Sequence, residues 1–262
     1  MLRLALEVAA IVVGVHAVEP APVFAPPLGT PLTLRIERTQ TSGDTVYRFS
    51  AVRTIVFMKS DAGYRAEMTL VSADSDAVGP GAGFDRAMAA LRGVPMRFTL
   101  DSDGNVQSLE GLDQHWATLV AAIAGGGKSA PAAVTEQLNG LSSAQRLAML
   151  ASALDSIVYA DLAGGGVQAE HDIPMRPRPP YGSPAPATAR YGVTAANGAL
   201  VATTTAAFPV QAPAGGAASM TIDETTTVDP ATGLLRSSRE TRTVELASGT
   251  REQVVTNTDL SY

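Results

Sequence analysis

Several short stretches carry residues whose types and spacing could do chemistry. The run AIAGGGKSA (122–130) ends in Gly127, Lys128 and Ser129, which is how a phosphate-binding loop closes. Such a loop needs Gly-x-x-x-x-Gly-Lys-Ser/Thr between a strand and a helix, so that backbone N–H groups cradle the phosphates. The first glycine position holds Ala122, the segment before it has a helical pattern, and Pro131 follows early. The run fails both conditions and reads instead as a glycine joint between two helices. Lys128 lies near a helix C-terminus, where a positive charge is favourable.

DSDGN (101–105) places Asp101, Asp103 and Asn105 at the first, third and fifth positions of a calcium loop. That loop requires Gly at the sixth position and Glu at the twelfth. Val106 and Leu112 stand there, so the stretch is a hairpin turn. Glu170, His171 and Asp172 could donate to a metal, but a catalytic zinc usually takes three protein ligands, mostly His. Only His115 and His171 lie beyond the first residues of the chain. His115, beside Asp113 and Trp116, could serve as the base of a Ser-His-Asp triad, yet no Gly-x-Ser-x-Gly elbow accompanies it. Carboxylate pairs suited to glycoside hydrolysis are not selected by any spacing. RPRPP (176–180) could be a polyproline ligand or a stiff connection. No catalytic, cofactor-binding or metal-ligating residue is assigned from these stretches.

Composition narrows the classes further. The 262 residues are 45% hydrophobic and 17% charged, enough for a sizeable core and unlike a disordered chain. Aromatic residues make up only 5%, so the core must be built from Ala, Val, Leu and Met. A net charge of −6 with no extended basic cluster argues against nucleic acid, whose phosphates need a basic face. There is no Cys, hence no disulfide, no thiolate metal site, no cysteine nucleophile and no lipidated cysteine.

The N-terminus, MLRLALEVAAIVVGVHAVEP, has a positive start at Arg3, an apolar run over 9–15 and small residues before Val18, although Glu7 interrupts the apolar region. This predicts a signal peptide over 1–17, cleaved after Ala17, and a bacterial periplasmic or secreted location. The run is too short for the roughly 20 residues that span a bilayer, and no second run exists, so no integral membrane segment is expected after cleavage.

The elements that must position any site follow from periodicity. Residues 18–31 hold five prolines and read as an extended lead-in without a fold of its own. Alternation over 32–37, 45–58 and 64–73 predicts a three-strand meander. A helical middle over 84–160 contains the hairpin MRFTL–DSDGN–VQSLE and two apolar stripes. The first stripe carries Trp116, Leu119, Val120 and Ile123; the second, capped by Ser142 and Gln145, carries Leu150, Leu154 and Ile157. AGGG (163–166) should end the second helix, and within a Pro-rich connection (163–188) the stretch 171–186 should be neither helical nor a central strand. Thr-rich hairpins complete the chain. TLDSDGNVQS (99–108) and TVDPATGLLRS (227–237) echo each other, Asp capping the turn and Gly taking positive φ.

The expected fold is α+β over 32–262. A curved antiparallel sheet of about eight to ten strands, with a half-barrel as one form open to it, carries two to four helices on one face. This order of elements resembles the periplasmic lipoprotein-carrier family, whose half-barrel and helical lid enclose a hydrophobic ligand. The Asp-x-x-Thr-Gly-Leu hairpin at 229–234 is similar to hairpins of uncharacterised exported bacterial proteins. The resemblance implies a noncatalytic binding or carrier protein for an apolar or lipid-like ligand, without cofactor, with the two helical stripes covering it. Alternatives are an envelope structural or protein-interaction module and, behind it, a carboxylate-based hydrolase.

Overall fold

The computed structural model describes residues 23–77, 80–125, 132–175, 186–212 and 216–262. The expected signal peptide, most of the glycine joint with Lys128, and the RPRPP run lie outside these residues.

The first strands are β1 (Leu32–Ser42), β2 (Thr45–Ser60) and β3 (Gly63–Ser75), followed by helix α1 (Pro80–Leu91) and the hairpin β4 (Pro95–Leu100) and β5 (Val106–Leu109). Four helices then run in succession: α2 (Leu112–Ala124), α3 (Ala132–Asn139), α4 (Ser143–Asp155) and α5 (Ala160–Gly165). The remaining strands are β6 (Gln168–Met175), β7 (Ala187–Ala196), β8 (Ala199–Gln211), β9 (Ala217–Asp229), β10 (Leu234–Leu246) and β11 (Arg251–Ser261). All eleven form one antiparallel sheet, ordered β5-β4-β3-β2-β1-β11-β10-β9-β8-β7-β6. The sheet is curved and open, with β5 and β6 at its edges. Each half is a meander, and the pairing of β1 with β11 joins them at the centre. The helical segment links the two edge strands, so it must travel across the sheet from one side to the other.

Most of the strands alternate, and their inward positions fall on one face. Leu32, Leu34 and Ile36 of β1 stand opposite Ile55, Arg53 and Ala51 of β2, while Thr33, Arg35 and Glu37 point to the other side. On β9 that outer face is polar, with Thr221, Asp223 and Thr225 exposed. This is the pattern of an antiparallel sheet with one face wet and one covered. The main core packs α2 and α4 onto β1 to β4. Trp116, Leu119, Val120, Leu150, Leu154 and Ile157 are buried there among Leu32, Ile55, Phe57, Met68 and Phe98, with Ile123 packed against them. The capping box forms as its spacing predicts: the Ser142 hydroxyl accepts from Gln145 N–H at 3.3 Å, and the Ser142 N–H donates to Gln145 Oε1 at 2.9 Å.

Three boundaries differ from expectation. The helix expected to run to AGGG stops at Asp155, and AGGG belongs to the separate short α5. Helix α3, built from AAVTEQLN, adds a turn of good helix formers that lacks an apolar stripe long enough to stand out. The Pro-rich connection contains β6, the eleventh strand. Pro174 is tolerated because β6 is an edge strand whose outer side forms no ladder.

The described part of the lead-in, 23–31, is extended and anchored. Val23 N–H donates to Ala160 O at 2.9 Å, Ala25 N–H to Thr232 O at 3.0 Å, and the Tyr64 hydroxyl to Phe24 O at 2.9 Å. Phe24 lies edge-on to Phe57 and Tyr64, with centroids 5.8 and 5.0 Å away. The two echoing hairpins close on this segment. Gly104 (φ +88°) abuts the Phe24 ring, and Gly233 (φ +69°) lies so close to the Val23 carbonyl that a side chain would collide with it. The shared Asp–turn–Gly pattern thus serves both turn geometry and close approach. No helix among the described residues is long and apolar enough to cross a membrane.

Candidate functional site

The inward face changes character at its centre. One row of directly opposed residues runs across seven strand pairs: Phe49, Arg38, Thr256, Glu240, Glu224, Thr204, Tyr191 and His171. The row contains no aliphatic residue, although strand parity directs it to the same side as Leu34 and Ile55. The neighbouring row adds Gln40, Val254, Arg242 and Ile222. Helix α4 ends above this region, so the charged floor is not filled by helix side chains. A cavity of about 880 Å³ remains, walled by Ala148, Ser152, Asp155, Ser156 and Tyr159 on one side. Arg38, Arg53, Glu224, Glu240, Arg242 and Glu252 are among its lining on the sheet.

A second cavity, of about 360 Å³, opens beside it and shares Ile36, Arg38, Gln40 and Arg53. Its other walls are Phe49, Ser50, Ala51 and Phe84. Phe49 of β2 and Phe84 of α1 meet edge to face at 5.4 Å, a favourable aromatic geometry that fixes the apolar end. The two spaces together form a groove with an aromatic end and a charged end.

Arg53 stands where they meet. Its neighbours across the strands are Leu34 and Leu70, both fully buried. A bulge beside it, at Val71 of β3, breaks the register between Val52 and Arg53. Its Nη1 is buried without a hydrogen-bond partner among the described residues. Burial lowers its pKa from the ordinary arginine value. Several other charges of the floor are engaged. Arg242 donates through Nη2 to Glu240 Oε1, and Thr226 Oγ1 donates to Glu224 Oε1 at 3.3 Å. Asp155, at the end of α4, has its carboxyl pKa raised by burial. Tyr191 has its hydroxyl pKa raised by burial first and by Glu224 second.

No family model matches the chain. A search of curated proteins finds no match either. Among solved structures it is similar to one titled "Lipid-protein interactions in lipovitellin", at 10% sequence identity and a TM-score of 0.45, over 90% of this chain. The chain spans about a quarter of that structure's length (25%).

The residues weighed from sequence fall in different places. The seven apolar helix positions hold α2 and α4 on the sheet; none of them lines either cavity, whose helix wall comes from the other side of α4. These positions belong to the packed core, and the two cavities lie beyond it, the larger with a charged floor. Glu170, His171 and Asp172 are separated by strand alternation: His171 packs edge-on to Tyr191 at 5.6 Å, while Glu170 and Asp172 pair with Arg190 at 3.3 and 3.6 Å. No cluster of three or more His, Cys, Asp or Glu able to hold a metal occurs among the described residues. Asp113 pairs with Arg146 at 3.4 Å, so it does not serve His115. Asp101 accepts from the N–H groups of Asp103 and Asn105 at 3.0 and 2.9 Å, which is a turn and not a calcium loop.

Arg38, Arg53, Phe49 and Phe84 were not singled out from sequence, yet a signal exists. In β2 the inward parity reads Tyr47, Phe49, Ala51, Arg53, Ile55, Phe57. An arginine at a core parity, between alanine and isoleucine, marks a departure from simple patterning.

Proposed function

We propose that residues 1–17 direct export and are then removed, and that the chain acts as a noncatalytic binding or carrier protein for a lipid-like ligand held in the groove at the centre of the sheet. The observation that carries this reading is the joining of an aromatic cavity to a larger charged one, so that a single amphiphile could lay an apolar part against Phe49 and Phe84 and a polar part on the charged floor. Ligand sites are typically concave spaces of about 300–1,000 Å³ with a few placed polar groups. The binding reading is favoured over hydrolysis because Glu240, on the groove floor, is ion-paired with Arg242. Export rests on the N-terminal pattern, Arg3 followed by an apolar run and Ala17.

Native mass spectrometry of protein purified from its own host tests both halves of the reading. A co-purifying amphiphile and a mature N-terminus at Val18 are expected. Protein that is always empty, and that takes up neither lipids nor acylated peptides, overturns the carrier role.

A second reading, as an envelope interaction module, is favoured by the open edge of β6, which offers unpaired backbone to another strand. Crosslinked pull-down with residues 171–186 deleted should lose partners if it holds; an unchanged partner set removes it.

A further inference from the structure

We infer that the ligand carries a single oxyanion, a carboxylate or a phosphate monoester, on an alkyl chain, and that Arg53 is the residue that binds it. This rests on the groove being a ligand site and adds which end goes where.

Arg53 is an arginine set into an apolar row, between Leu34 and Leu70. A buried donor without an acceptor destabilises the fold, and a guanidinium more than most. Such a group is retained where something supplies the acceptor. Among the described residues none accepts from its Nη1. Glu240 is bonded to Arg242 on the same strand. Asp155 lines the same cavity, but neither an ion pair nor a hydrogen bond joins it to Arg53, and burial raises its carboxyl pKa. Burial is likewise the one cause acting on Arg53, with no carboxylate offsetting it. An incoming oxyanion would satisfy the buried Nη1, and the planar guanidinium suits two-point binding of a carboxylate or phosphate. Arg38 lines both cavities beside it and is exposed, placed to meet the same anion from the open side. The chain attached to the oxyanion then has one apolar direction to follow, over Ile36 and Ala51 to Phe49 and Phe84.

The test uses the full mature chain, stripped of bound lipid, and measures binding of myristate, myristyl alcohol and inorganic phosphate by calorimetry. Myristate should bind at least about tenfold more tightly than the alcohol, a difference of about 1.4 kcal/mol. Arg53→Gln should remove that preference by weakening myristate binding, and Arg53→Lys should restore part of it. Arg239→Gln, on the outer face, should change neither. Thermal melting of ligand-free Arg53→Met gives a second readout: its Tm should match or exceed that of the parent, because an unpaired buried charge has gone. A lower Tm, with unaltered myristate preference in Arg53→Gln, makes Arg53 structural and overturns the inference. Equal binding of myristate and alcohol overturns it while the carrier reading stands. Binding of neither overturns both. Phosphate binding as tight as myristate overturns the alkyl-chain assignment.

Discussion

The two halves of the inward face follow the same alternation and reach different ends. On β1 to β4 most inward residues are Leu, Ile, Phe, Met and Ala, and α2 and α4 bury them in the main core. On β9 to β11 the same parity carries Glu224, Thr226, Ser238, Glu240, Arg242, Thr256 and Thr258 before apolar residues return at Met220, Ile222 and Val244. A helix cannot be laid on that stretch without burying charges, so the helical segment crosses it briefly and leaves a cavity. The sheet is therefore one scaffold with a packed half that supplies stability and a central charged band that does not need to.

The largest expected effect tests that division. Leu154 is fully buried between α4 and the sheet. Leu154→Ala should cost about 2–5 kcal/mol, since a cavity forms in a packed core. Thr226→Ala, at a buried position of the charged band where the hydroxyl bonds Glu224 and Ser238, should cost about 1 kcal/mol, the usual worth of a hydrogen bond. Urea unfolding monitored by Trp116 fluorescence compares the two. Equal losses would mean that the charged band is as firmly packed as the helix-covered half.

A somewhat smaller pair of effects concerns the turns that clamp Val23 and Phe24. Gly233→Ala places a Cβ against the Val23 carbonyl, which is backbone and cannot step aside. Gly249→Ala, at a comparable positive φ (+82°), meets nothing. The second should show the left-handed backbone penalty alone, roughly 1–2 kcal/mol, and the first should exceed it by detaching the lead-in. Limited proteolysis before residue 32 would report that detachment. Similar Tm losses in the two variants would show that Val23 contributes little to the fold.

Much of this was legible in sequence because period and turn chemistry are local. Leu32, Leu34 and Ile36 gave a strand, Ser142 and Gln145 a cap, and Asp101 with Gly104 a turn, each from neighbours within a few residues. Ten of the strands could be read this way, and β6 could not, because Pro174 disqualifies a central strand and edge position depends on the whole sheet order. The site was less legible. Arg53 sits at an apolar parity, which sequence can show, but its meeting with Phe84 and Asp155 requires α1 and α4 to fold back onto β2. The carboxylates were also present, yet Glu224 and Glu240 become neighbours only through the register of β9 with β10.

The smallest effects are electrostatic, and their signs differ by location. At the turns, burial alone would raise the pKa of Asp101 and of Asp229. Hydrogen bonds outweigh it, from Asn105, Asp103 and Gln107 to the first and from Ala231, Arg236 and Thr232 to the second, so both fall below the ordinary carboxylate value. A depressed folded pKa gives stability that is present above the unfolded pKa, near 3.9, and is lost as pH falls through the folded value. Asp155, beside the charged band, is shifted the other way by burial. Its contribution opposes folding near neutrality and disappears as pH falls through its raised pKa toward 3.9. Asp101→Asn and Asp229→Asn should therefore be less stable than the parent at pH 7 and converge on it only as pH falls from about 3.9 through the lowered folded values. Asp155→Asn should be more stable at pH 7, and its advantage should vanish in acid. Thermal melts of the ligand-free protein across pH 3 to 8 separate the two behaviours. A destabilised Asp155→Asn at neutral pH would place a cation against that carboxylate, and with it a counterion inside the groove.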